Sequence, residues 1–178
     1  MTTSIVTNPD PIIQSFSQSK HHRQTAPRKF RDPYIIAQQL ALLARAQESL
    51  IVSAHGAFKH KSYSWHSGYC VKHGQVFDVS TKDALSLCNK PVILFSALLE
   101  SVSHENIFEI VLNADYEVVK LALRVDLPTS PDTDIILVLA GELETDRLEY
   151  QNVRLVTWYL NDKNDHHETL QKERYSYV

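Results

Sequence analysis

Nine residues from Val119 to Leu127 alternate without a break. Val119, Leu121, Leu123, Val125 and Leu127 are apolar, and Lys120, Ala122, Arg124 and Asp126 fall between them. Successive side chains on a strand point to opposite faces, so this run specifies a half-buried β-strand and cannot serve as an amphipathic helix. Its neighbours carry related signals. Phe108, Ile110 and Leu112 alternate before the turn residues Asn113-Ala114-Asp115, Ile135 to Ala140 is continuously apolar as a central strand would be, and Val153 to Leu160 supplies a fourth segment. Pro128 to Asp134 reads as a loop, and after Asn161 the chain turns polar. The C-terminal half is therefore expected to form an antiparallel sheet of at least four strands.

The half before it reads mainly as helix. Asp32 can cap free amides and Pro33 is preorganised for the first helical position, so a helix starts there and runs to about Leu50. Ile36, Leu40, Leu43, Ala44 and Leu50 make its apolar face, interrupted by Gln47. Leu50 to Ala54 and Gln75 to Val79 are strand candidates. Ser80 with Asp83 has a capping-box pattern, opening a short helix through Cys88 that Asn89 and Pro91 close. Pro91 to Ser96 reads as a buried strand, and Ala97 to Ser103 as helical. The expected class is α+β, or α/β if segments 50–54 and 91–96 join the sheet as parallel members.

A body of this kind fits residues 32–178 as a single domain, behind an extended arm over residues 1–31 rich in Ser, Thr, Gln and Pro. No apolar run approaches the roughly 18 residues of a membrane-spanning helix. Met1 to Asp10 has no secretory pattern, and two cysteines do not make a disulfide scaffold. A cytoplasmic protein without membrane contact is expected. The four glycines, Gly56, Gly68, Gly74 and Gly141, are too far apart for a phosphate-cradling glycine loop, which excludes the common nucleotide-binding motifs.

Charge is segregated along the chain. Lys20, Arg23, Arg28, Lys29 and Arg31 concentrate five of the 18 Lys and Arg residues in the arm, whereas 16 acidic residues face seven basic ones from Glu100 onward. A second cationic stretch, Phe58 to His73, interleaves Lys59, Lys61 and Lys72 with Phe58, Tyr63, Trp65 and Tyr69. Lysines can follow phosphates while rings stack on bases, so arm and stretch together fit a module that contacts nucleic acid or a nucleoprotein assembly, with Tyr63 and Trp65 as stacking candidates. The alternative is a structural or protein-interaction subunit, or a homo-oligomer, that uses the arm and the acidic half for docking. No cofactor is required by either reading. Zinc is an alternative within the same stretch, where His60, His66, Cys70 and His73 could supply four ligands.

Two enzyme patterns fail on their residues. The His55-Gly56 pair after an apolar strand is similar to caspase-like cysteine proteases, but no Cys stands at the end of the segment from Pro91. Glu117 and Lys120 are one residue too far apart for the Glu-x-Lys of restriction-type nucleases. A third pattern survives. A helix followed by a four-stranded antiparallel sheet ending in VRLVTWYLNDKN, Val153 to Asn164, resembles bacterial toxin ribonucleases of the RelE-like and barnase-like groups. That resemblance implies metal-independent RNA cleavage, with His104, Arg124, Thr157 and Tyr159 as catalytic candidates.

Overall fold

The computed structural model describes residues 32–165 and the backbone of residues 22–24. The elements in chain order are β1 (His22–Gln24), α1 (Pro33–Glu48), β2 (Ile51–Val52), α2 (Ala54–Phe58), β3 (Ser64–His66), β4 (Tyr69–Lys72), β5 (Gln75–Asp78), α3 (Thr81–Asn89), α4 (Pro91–Glu100), β6 (Ile107–Leu112), β7 (Val118–Leu127), β8 (Ser130–Glu144) and β9 (Glu149–Asp162). Short 3-10 turns at Lys59–Ser62 and His104–Asn106 join them. The main sheet has the order β1-β6-β7-β8-β9-β2. It is antiparallel except at β2, which lies parallel to β9 through Ile51–Arg154 and Val52–Leu155. A separate antiparallel sheet, β3-β4-β5, sits beside its β8–β9 end, where the Thr133 hydroxyl donates to the Asp78 carbonyl at 2.7 Å. The class is α+β.

The alternation from 119 to 127 sorts two faces. Leu121, Leu123, Val125 and Leu127 join Ile135, Leu137 and Leu139 on the inner face, against apolar residues of α1, α3 and α4. Lys120, Ala122 and Arg124 pair across β8 with Ala140, Val138 and Ile136, so they line the outer face. Val119 departs from the pattern. The register shifts beside Leu112, so Val118 enters the inner core and Val119 packs on the outer face.

Asp32 caps α1 as expected, accepting from the amides of Tyr34 at 2.8 Å and Ile35 at 3.4 Å, with Pro33 in the first turn. The buried stripe, however, is Ile35, Gln38, Gln39, Leu42, Leu43 and Ala46, while Leu40 and Ala44 face outward. The expected stripe is rotated because two glutamines occupy core positions. Gln38 does so by accepting from the Val118 amide at 2.6 Å beside the register shift. Gln47, the apparent interruption, donates to the carbonyls of Leu99 and Val102 at 2.7 and 3.1 Å and so holds the end of α4.

Segment 91–96 is not a strand. Pro91 starts α4, whose buried residues Leu94, Phe95, Leu98 and Leu99 recur with helical spacing. An apolar run without polar interruptions does not declare its period, and here the preorganised proline and a continuation to Glu100 decide for helix. Segment 50–54 does contribute a parallel strand, shortened to two residues because Ser53 caps α2. The expected loop from Pro128 to Asp134 is a tight turn followed by strand, since β8 begins at Ser130. Asp83 explains why. Its buried carboxylate accepts from the Ser130 hydroxyl at 2.6 Å and the Thr129 amide at 3.0 Å, tying α3 to the β7–β8 turn.

Candidate phosphate-binding notch

The stretch from Phe58 to His73 wraps the free edge of β9 beyond β2. Ser53 begins this wrap, donating to the Val156 carbonyl at 2.7 Å and accepting from Gly56 as the cap of α2. Gly56 suits a close approach to β9. A Cβ there would stand 3.0 Å from the Leu155 side chain and 3.3 Å from the Leu155 carbonyl. Its own carbonyl accepts from the Trp158 indole at 2.8 Å. The His55-Gly56 pair is thus a packing feature of a helical turn laid on a strand.

This placement converges Lys59, from the 3-10 turn, and Lys72, from β4, on one ring of β9. The Lys59 ammonium lies 4.4 Å from the Tyr159 ring centre and that of Lys72 lies 5.6 Å from it. Lys72 also sits 4.7 Å from the Tyr63 ring. Burial, then the charge of Lys72, pushes the Lys59 amine down to about 8, and burial also lowers Lys72. His55 is lowered by burial and by both lysines, so three cationic groups oppose one another. Among the described residues, carboxylates pair instead with Arg45, Arg124 and Lys163. Such a lysine pair has the chemistry to hold an anion, because a phosphate would relieve the repulsion and restore both charges.

The remaining candidates separate. Lys61 is exposed, 4.7 Å over the exposed Phe58 ring, and extends the cationic edge. Tyr63 belongs to the core. It is 6% exposed, its hydroxyl accepts from the Leu160 amide at 3.1 Å, and its ring lies parallel to Trp158 with centres 5.5 Å apart. That ring cannot also stack on a base. Trp65 is half-buried and its indole donates to the His60 carbonyl at 2.8 Å, fixing the 3-10 turn. The arm residues Lys20, Arg28, Lys29 and Arg31 lie outside the described residues, and Arg23 is described only by its backbone in β1.

The zinc set does not assemble. Strand alternation sends Cys70 into the core opposite Trp65 and Phe77, while His66 stacks on Tyr69 at the other face, with ring centres 4.6 Å apart. The His60 Nδ1 donates to the Ala57 carbonyl at 3.2 Å, and His73 occupies the β4–β5 turn with φ 49°. Burial pushes the Cys70 thiol up to about 12, which disfavours the thiolate that zinc needs. Among the described residues, no three His, Cys, Asp or Glu side chains form a metal-binding group.

Of the ribonuclease set, Arg124 and Tyr159 pair with opposite sides of Ile136 and share the outer face with Thr157. Arg124 is committed to Asp134 by a short ion pair and donates to the Lys163 carbonyl at 3.2 Å. His104 is exposed in the 3-10 turn before β6. The outer face also holds a feature that spacing did not reveal. Lys120 is lowered by burial and by Arg154, at a cleft of about 430 Å³ that Glu142 and Glu117 also line. The larger cleft, about 620 Å³ between α1 and β9, is lined by polar residues such as Glu149, Gln151 and Asn152 beside Ala41 and Ile51, with Arg45 already paired to Glu48 at 3.2 Å. No helix among the described residues is long and apolar enough to cross a membrane. Compared with known proteins, the chain matches no family model, no curated protein and no solved structure.

Proposed function

We propose that this chain is a nucleic-acid-contacting module in which a backbone phosphate sits between Lys59 and Lys72. The observation that carries the reading is the convergence of these two half-buried amines on Tyr159 without a carboxylate partner. The exposed Phe58 ring under Lys61 continues the site along the same edge, giving a base something to stack on beside the phosphate. Tyr63 and Trp65 act beneath this surface as its supports. The basic residues of the arm supply further phosphate contacts in the same reading. The chemistry is binding: no nucleophile or general base is needed for it.

Labelled single-stranded RNA, single-stranded DNA and duplex DNA, titrated across a salt series, test this. For a single strand, removing the one phosphate seated between the two lysines should reduce the magnitude of the log Kd against log salt slope by about 0.7. Lys59→Gln with Lys72→Gln should produce that change, with the folded spectrum retained. An unchanged slope would show that the notch seats no phosphate. RNA loss in EDTA, abolished by Thr157→Val or Tyr159→Phe, would instead establish the ribonuclease reading.

A further inference from the structure

The notch gathers more positive charge than a phosphate inside a strand can balance. Lys59 and Lys72 both approach the Tyr159 ring, with their ammonium groups 4.4 and 5.6 Å from its centre, and Lys72 lies 4.7 Å from the buried Tyr63 ring as well. Two lysines from separate elements, the 3-10 turn and β4, therefore meet over aromatic carbon. His55 stands near enough for both amines to lower its pKa. The ion-paired carboxylates of the described residues are held elsewhere, by Arg45, Arg124 and Lys163. Charge left unbalanced in such partly desolvated surroundings costs more than at an open surface. A phosphodiester within a strand brings a single negative charge and a pair of free oxygens. A phosphomonoester at a strand end brings close to two negative charges at neutral pH and three acceptor oxygens.

We infer, on the basis of the phosphate seat proposed above, that Lys59 and Lys72 hold the phosphomonoester end of a nucleic-acid strand in preference to a phosphate within it. Each amine can then donate to one oxygen of the terminal group, whose double charge balances both, and the third oxygen is left to His55 or solvent. A diester in the same place leaves one amine unbalanced or without its proton. The neighbouring residues fit the same order. Phe58 directly precedes Lys59 and is 58% exposed, so a terminal base has a ring to stack on beside its own phosphate. Lys61, 4.7 Å over that ring, brings one charge for the single charge of the next phosphate along the strand. Stacking on a ring tolerates any base, so such a seat distinguishes a strand that ends in a phosphate from one that ends in a hydroxyl, whatever its sequence.

Fluorescence anisotropy with the full chain tests this on short single strands of one sequence, each with an internal dye. The strands differ only in their ends: hydroxyls at both, a 5′-phosphate, a 3′-phosphate, or the methyl ester of whichever phosphate binds more tightly. The end seat requires one of the phosphorylated strands to bind about tenfold or more tighter than the strand with hydroxyl ends. The methyl ester should lose most of that gain, since it keeps the bulk of the phosphate but carries a single charge. In the variant combining Lys59→Gln with Lys72→Gln the preference should disappear, with the folded spectrum retained. Equal binding of all strands that the double substitution still weakens overturns the end seat and leaves the internal phosphate seat standing. Equal binding that the double substitution leaves unchanged removes both. A methyl ester as tight as the free phosphate overturns the charge balance on which the end seat stands. Inorganic phosphate that displaces the strands at concentrations near their own Kd would make this a site for small phosphates and reject the strand end.

Discussion

Lys59 sits where charge is costly, which ties its stability to its proposed task. Its folded amine titrates near 8 through burial and then Lys72, while in the unfolded chain it holds its proton to the ordinary value of 10.5. Between those values the unfolded chain binds more protons, so the Lys59 contribution destabilises fully below about 8 and fades as pH rises to 10.5. Lys59→Met should therefore raise stability at pH 7, on the order of 1 kcal/mol once solvent screening of this half-exposed group is allowed for, and the gain should vanish by pH 10.5. Urea unfolding of both proteins at the two pH values checks this. The comparison between them cancels the opposite drift from Cys70, whose raised thiol is common to both. Gly141 makes a different residue-level demand. An added Cβ would stand 2.7 Å from Leu42 and 2.9 Å from Val153, two inner-core side chains, and 3.1 Å from the Tyr150 ring. Gly141→Ala should cost about 1–3 kcal/mol by overpacking, read as a lower urea midpoint with an unchanged slope. At this scale the sequence showed the lysines, because their types were visible, but not the role of Tyr63. An aromatic between polar residues looks the same whether its ring faces a base or lies on Trp158.

Elements were legible where local signals agreed. Asp32-Pro33 opened α1, Ser80 opened α3, and period-two alternation located β6 and β7. They were misread where tertiary partners decide: the apolar run of α4 has no visible period, and the start of β8 depends on a carboxylate 47 residues earlier. The zinc set failed for a related reason. Close spacing along β3 and β4 places alternate residues on opposite faces, so nearness in sequence separated His66 from Cys70 in space. Asp83 gives this level its test. Asp83→Ala leaves the Thr129 amide and Ser130 hydroxyl without their acceptor and should cost about 3 kcal/mol, whereas Asp83→Asn keeps an acceptor and should cost less than half of that. Equal losses in chemical denaturation would mean that the charge, and not the hydrogen bonding, holds α3 to the β7–β8 turn.

The whole molecule separates two kinds of cation. The notch depends on Lys59, which loses its proton near 8, and the arm carries Arg23, Arg28 and Arg31, whose guanidinium groups stay charged throughout the accessible range. The other titrating groups around Lys59 are Lys72 and His55, and both are shifted downward, so neither restores positive charge as Lys59 loses it. An anion bound in the notch must then supply the energy to keep Lys59 protonated. Affinity for a single strand should fall as pH rises from 7 to 9.5, by at most about tenfold per unit above pH 8. The Arg28→Gln, Lys29→Gln, Arg31→Gln variant should bind more weakly at pH 7 and lose a larger share of its remaining affinity by pH 9.5, since the notch then carries more of the contact. Lys59→Gln should show the converse, weaker binding at pH 7 that varies less over this interval. Fluorescence anisotropy at fixed ionic strength separates these cases. A wild-type affinity that is flat from pH 7 to 9.5 would remove Lys59 from the interface and leave the arm as the only phosphate contact in the proposal.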